Sequence, residues 1–126
     1  MRIIFAILIA VLALSAEDFI TEFEYGQMLY EDPRGASCAA CHGPTGAGEM
    51  IAEYTDAEGV VRTLTAPDIR HAPLEVLRKR VKEGGAVMPR YFLTDKEIAT
   101  IHAYLQKVNQ PRKSSVKALF QNAQTE

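Results

Sequence analysis

The chain has 126 residues, 48% of them hydrophobic, and a formal net charge of −2. That length bounds it to one domain. The slightly acidic balance gives no electrostatic reason to expect a nucleic-acid partner, and none is expected.

Met1 and Arg2 lead into the apolar run IIFAILIAVLAL, Ile3 to Leu14. The run falls short of the about 20 residues that a membrane-spanning helix needs. Ser15, Ala16 and the acidic pair Glu17-Asp18 follow. This order predicts a secretory signal peptide over 1–16, cleaved near Ser15 or Ala16. An uncleaved anchor and a buried N-terminal helix are the competing readings. The domain proper is then expected over 17–110, with a C-terminal extension over 111–126. Charge is sorted along the mature chain: residues 17–68 carry 11 acidic and 2 basic side chains, residues 69–126 carry 11 basic and 5 acidic ones. Such sorting makes the chain a candidate electric dipole. The plainer reading is two solvated surfaces that happen to be sorted by sequence.

A first helix is predicted from about Asp18 to Glu31, because Phe19, Phe23, Gly26 and Tyr30 recur on one helical face. A glycine on such a face often marks the close approach of another backbone. Asp32-Pro33-Arg34-Gly35 ends the helix. CAACH, Cys38 to His42, comes next, followed by a glycine-rich loop to Gly48. Tyr54-Thr55, a turn at Asp56 to Gly59 and Val60-Val61 predict a small hairpin near 53–63. A second helix is predicted from Pro73 to Glu83, with Leu74, Leu77 and Val81 on one face and Gly84-Gly85 as the stop. The irregular stretch AVMPRYFL separates it from the last helix. Thr94-Asp95-Lys96-Glu97 is a capping box, and Ile98, Ile101, Leu105 and Val108 form a buried stripe with Tyr104 alongside. Asn109 and Pro111 close it. The tail from Arg112 is expected to be loose, or a short peripheral helix around Val116 to Phe120. Three main helices, long connections and no Trp make a thin core. A domain this small gains much from an extra apolar body or a covalent staple.

Cys38, Cys41 and His42 lie at i, i+3 and i+4, so on one helical turn they point the same way. The C-x-x-C-H spacing is read as covalent attachment of a c-type haem. Two sulfurs bond neighbouring vinyl groups on one edge of the macrocycle, and the adjacent histidine reaches the iron. Three other readings have different needs. A disulfide needs no histidine. A zinc site needs a fourth ligand, His71 or a carboxylate. A thioredoxin-like motif needs a preceding strand, and none is predicted.

Over about Phe19 to Val108 the chain resembles the class I cytochromes c, the small monohaem proteins of the bacterial periplasm. GQMLY carries the family's N-terminal motif of a glycine followed four residues later by an aromatic, here Gly26 and Tyr30. CAACH matches the attachment motif, Met88-Pro89 the distal-ligand motif, and IHAYL, Ile101 to Leu105, the C-terminal helix. The resemblance implies an all-α fold of about three main helices wrapped around one covalent haem c. It implies a helix crossing at Gly26, with Tyr30 and Tyr104 packed there. It also implies periplasmic location, and the Pro67 carbonyl as acceptor for the second N–H of His42. A longer insert, Ala52 to Leu64, departs from the short family members.

With His42 as proximal ligand, the candidates for the sixth position are Met28, Met50, Met88, His71 and His102. Met88 is favoured, because it sits in a loop after two glycines and before a proline that holds the chain extended. His/Met ligation raises the reduction potential of haem iron and leaves no position for substrate. The expected function is therefore single-electron transfer without catalysis. A gas- or peroxide-handling haem protein with a labile sixth ligand is the alternative. Arg62, Tyr54, Arg90 and Tyr91 are candidate partners for the haem propionates, against the plainer reading of surface or core residues. The cluster Arg78-Lys79-Arg80-Lys82 is either the wet face of a helix or, by the resemblance, a guide for acidic redox partners. Expected partners are other redox proteins, such as a cytochrome bc complex, a terminal oxidase or a peroxidase, met by a monomer.

Overall fold

The computed structural model describes residues 19–111. Residues 1–18 and 112–126 lie outside the described residues, and with them the predicted signal peptide and all but the first residue of the expected extension. In chain order the described elements are helix α1 (Glu22–Glu31), short helix α2 (Cys38–His42), strands β1 (Met50–Thr55) and β2 (Val61–Thr65), helix α3 (Leu74–Glu83) and helix α4 (Asp95–Val108).

The start of α1 is set by Thr21. Its hydroxyl accepts from the Glu24 N–H, and the Glu24 carboxylate accepts from the Thr21 N–H, which completes a capping box. The helix thus begins four residues later than the expected Asp18–Glu31 span suggests. Phe19 had the right spacing for the apolar face, but it precedes the cap and is fully exposed. The working face is Phe23, Gly26, Leu29 and Tyr30. Helix α4 opens on the same device: Thr94 accepts from the Glu97 N–H and Glu97 accepts from the Thr94 N–H. Helix α3 starts after Pro73 and stops at Gly84.

Helices α1 and α4 cross at Gly26. A Cβ at that position would lie 2.7 Å from the Thr100 carbonyl oxygen and 2.7 Å from Tyr104 Cβ. Only a residue without a side chain lets the two backbones meet there. Around the crossing the Phe23, Tyr30 and Tyr104 rings pack at centroid distances of 5.2 Å and 5.6 Å. Leu77 and Val81 of α3 and Ile98, Ile101 and Leu105 of α4 complete the core with Tyr91 and Leu93. Helix α3 is tied to α4 outside that core by Arg78 and Lys82, which both pair with Asp95.

The described residues are mostly helical, with four helices and one two-stranded antiparallel sheet. The hairpin is longer than the stretch expected near 53–63, pairing Met50 with Thr65 at its base and Thr55 with Val61 at its tip. Its turn is knit by Asp56, whose Oδ1 accepts from the Glu58 and Val60 N–H groups and whose Oδ2 pairs with Arg62. Leu64 alone of the two strands is half-buried; the rest are exposed.

Glu97 joins three parts of the chain. Its carboxylate takes a bidentate pair from Arg34 at 2.8 Å and 3.0 Å, and Tyr25 Oη donates to it at 3.3 Å. Arg34 also donates to the Phe92 carbonyl at 3.3 Å. Arg34 reaches these acceptors from a left-handed backbone, φ +60°. The Arg34 guanidinium and the Thr94 N–H hold the Glu97 carboxyl down from its ordinary 4.5 to about 2.

Gly26→Ala gains about 1 kcal/mol of helix propensity but drives a methyl into a backbone carbonyl, an overpacking cost of about 1–3 kcal/mol. The expected outcome in chemical denaturation is a net loss of up to about 2 kcal/mol. Glu97 binds its proton less tightly folded than unfolded. Its contribution is therefore fully present above about pH 4.5 and lost as pH falls through about 2. Glu97→Gln is expected to lower stability at neutral pH and to flatten the decline in acid unfolding between those two values.

Candidate metal centre

Helix α2 is short, and its neighbours hold it. Tyr91 Oη donates to the Ala36 carbonyl at 2.7 Å, just before the helix. Tyr30 Oη donates to the Gly43 carbonyl at 2.7 Å, just after it. The Gly48 N–H returns to the His42 carbonyl at 2.9 Å. Burial pushes the Tyr30 and Tyr91 phenols up from their ordinary value, so both remain donors through neutral pH.

His42 is buried, and its Nδ1 lies 2.9 Å from the Pro67 carbonyl oxygen. A carbonyl only accepts, so Nδ1 carries the proton and donates. That leaves the lone pair on Nε2, the arrangement a metal-ligating histidine needs. The Pro67 acceptor expected from the family pattern is therefore in place, although the insert before it is long.

Cys38, Cys41 and His42 line one face of a cavity of about 320 Å³. This falls at the lower end of the usual range for small-molecule sites, roughly 300–1,000 Å³. Met88 and Pro89 line it as well. Gly84 places them: it caps α3 at φ +74°, and a Cβ there would come within 2.9 Å of the Met88 carbonyl oxygen. The Gly85 N–H then closes the loop on that same carbonyl at 2.9 Å. Downstream the Tyr91 N–H bonds the Val81 carbonyl at 2.9 Å, which returns the chain to the core.

The other candidates for the sixth position do not line the cavity. Met28 and Met50 are exposed on α1 and β1. His71 is exposed before α3, and His102 donates from Nε2 to the Ala72 carbonyl at 3.1 Å. Of the candidate propionate partners, Tyr91 lines the cavity; Arg62, Tyr54 and Arg90 do not. Arg62 is held by Asp56, and Arg90 donates to the Lys82 carbonyl at 3.2 Å. Arg80 is the charged side chain that the walls include among the described residues. Sequence reading had grouped it with three other bases. The usable signal was its spacing, since Val76, Leu77, Arg80 and Gly84 share one face of α3.

The rival readings of the cysteines fit less well. Burial pushes the Cys38 thiol up to about 11, so it stays protonated at neutral pH. An activated redox cysteine is a thiolate. Among the described residues no group of three or more His, Cys, Asp and Glu side chains converges as an ion-binding cluster. A haem c fits the residues present: two free thiols, an imidazole with its Nδ1 proton committed to the Pro67 carbonyl, a thioether, apolar walls and one cation.

The family model described as "Cytochrome c" matches residues 23–109. No curated protein and no solved structure matches the chain. That family model spans well over half of the sequence and implies covalently bound haem c and haem-based electron transfer; the chain belongs to the cytochrome c family.

Proposed function

We propose that this chain is an exported, monomeric, monohaem class I cytochrome c with His42 and Met88 as axial ligands, passing single electrons between periplasmic or membrane-bound redox proteins. Expected partners are a cytochrome bc complex, a terminal oxidase or a peroxidase. The observation that carries this reading is the convergence of Cys38, Cys41, His42 and Met88 on one cavity, with the His42 proton committed to Pro67.

The bound haem supplies a one-electron Fe(III)/Fe(II) couple. The protein's own work is to hold and to tune. Cys38 and Cys41 form thioethers that fix the group to α2. The Pro67 carbonyl orients the His42 imidazole and raises its basicity. The Gly84–Met88 loop presents a soft sulfur, which favours the reduced iron. Arg80 sets one positive charge against the walls, favouring the more electron-rich state and offering a partner for a propionate. Ile51, Leu77, Val81 and Ile101 keep the walls apolar and exclude water. With His42 and Met88 as the residues that would hold the iron, no coordination position would be left for a substrate, and the chain would carry charge without catalysing.

Met88→Ala is expected to abolish the weak far-red band of a Met–Fe(III) bond and to lower the reduction potential. An unchanged spectrum would remove Met88 as the ligand, and rapid carbon monoxide binding by the reduced native protein would favour a gas-handling role instead. Arg80→Leu is expected to lower the potential by tens of millivolts in redox titration while leaving the far-red band in place.

A further inference from the structure

The electron-carrier reading leaves the β1–β2 hairpin without a task. Its strands pair with each other and with no third strand among the described residues, and a lone two-stranded sheet is marginally stable in water. Yet it displays Met50, Tyr54 and Val61 at 61%, 54% and 66% exposure. The register sets Val61 on one face with Glu53, and Tyr54 on the other with Arg62; exposed apolar side chains on both faces of one protrusion mark a contact surface.

Charge says what kind of contact. Glu49, Glu53 and Glu58 are exposed on and beside the hairpin and enter no ion pair among the described residues, whereas Asp56 is matched by Arg62. The protrusion is apolar and ringed by unmatched negative charge. Its complement is an apolar patch with a basic rim. The basic cluster on α3 behaves in the opposite way. Arg78 pairs with Glu75 and Asp95, Lys82 pairs with Asp95, and Arg80 lines the cavity. Lys79 and Arg80 are exposed and enter no ion pair among the described residues, and Arg80 is the one that also lines the cavity. Of the four bases that the sequence offered for docking, two are thus paired off within the protein and a third is turned to the cavity wall.

Position completes the case. Ile51, Leu64 and Thr65 of the same hairpin line the cavity that holds Cys38, Cys41 and His42. A molecule seated on the outer surface of the hairpin is separated from the candidate centre by the hairpin itself. We propose that the β1–β2 hairpin is the docking surface for a redox protein that presents a basic-rimmed apolar face. The identity of the partner as a redox protein rests on the electron-carrier reading; the docking chemistry does not.

The test reads binding without reading haem. The full-length holo-protein is passed over gold carrying a mixed monolayer of ammonium- and methyl-terminated alkanethiols, and over a carboxylate- and methyl-terminated one, with surface plasmon resonance as the readout. The native protein is expected to bind the ammonium surface in preference. Glu53→Gln with Glu58→Gln is expected to weaken that binding about tenfold, and Val61→Ser to weaken it further. Glu22→Gln with Glu31→Gln, an equal charge change on α1, is expected to alter it less than about twofold. Equal losses from the two pairs, or stronger binding to the carboxylate surface, would overturn the proposal. So would self-association in sedimentation that Tyr54→Ser abolishes, which would assign the patch to a second copy of the chain. The haem spectrum of each variant is recorded alongside: its loss speaks against the electron-carrier reading, while the plasmon signal alone judges the docking surface.

Discussion

The crossing of α1 and α4 at Gly26 is the constraint from which the rest of the structure hangs. With the two backbones in contact, Tyr30 and Tyr104 lie in the same layer, and their phenols point on toward the chain around His42. Tyr30 reaches the Gly43 carbonyl at 2.7 Å, and Tyr104 approaches the Pro44 carbonyl at 3.5 Å. Asn109, at the end of α4, donates to the Thr45 carbonyl at 2.8 Å. Three consecutive carbonyls after His42 are thus addressed from the crossing helices. A helix of five residues has too few internal hydrogen bonds to hold itself, and α2 borrows its order from these contacts.

The part of the cavity wall that carries Met88 depends on a separate set of contacts. Helix α3 is anchored to α4 by Leu77 and Val81 in the core and by the Arg78–Asp95–Lys82 cluster outside it. From its end the chain doubles back through Gly84 and Gly85 to Met88 and is recaptured by Tyr91. The Tyr91 side chain then reaches across to the Ala36 carbonyl, so one residue braces the approaches to both walls. The spacing between His42 and Met88 is therefore set by packed helices and short hydrogen bonds on each side. Side chains held on both sides in this way are pre-positioned by packing and not by the group that they would bind.

Much of this was legible in the residues alone. The attachment motif, the Thr94 capping box, the glycine of the crossing and the Met-Pro loop each have a local physical reason, and each reads directly from a few letters. What was not legible depended on long-range partners. Phe19 has the correct period but loses to Thr21, because a capping box is worth more to a helix start than one more apolar residue. Arg80 looks like its three basic neighbours until Glu75 and Asp95 claim Arg78 and Lys82 and Arg80 itself is found at the cavity wall. The hairpin was only partly foreseen, since Met50 to Thr55 does not alternate cleanly and its pairing is fixed by Asp56 at the turn. Which acids remain unmatched is likewise a property of the folded arrangement.

Arg34 carries two opposed demands. A non-glycine residue held at φ +60° gives up about 1 kcal/mol or more of backbone energy, while its guanidinium fastens Glu97 and Phe92 to the stretch that leads into α2. Glycine at this position would relax the main chain and cut the fastening; lysine would keep the charge but lose the planar two-pronged grip. Tolerance to replacement at residue 34 is consequently narrow for a reason that its exposure would not suggest. Anyone redesigning this surface should treat it as part of the frame.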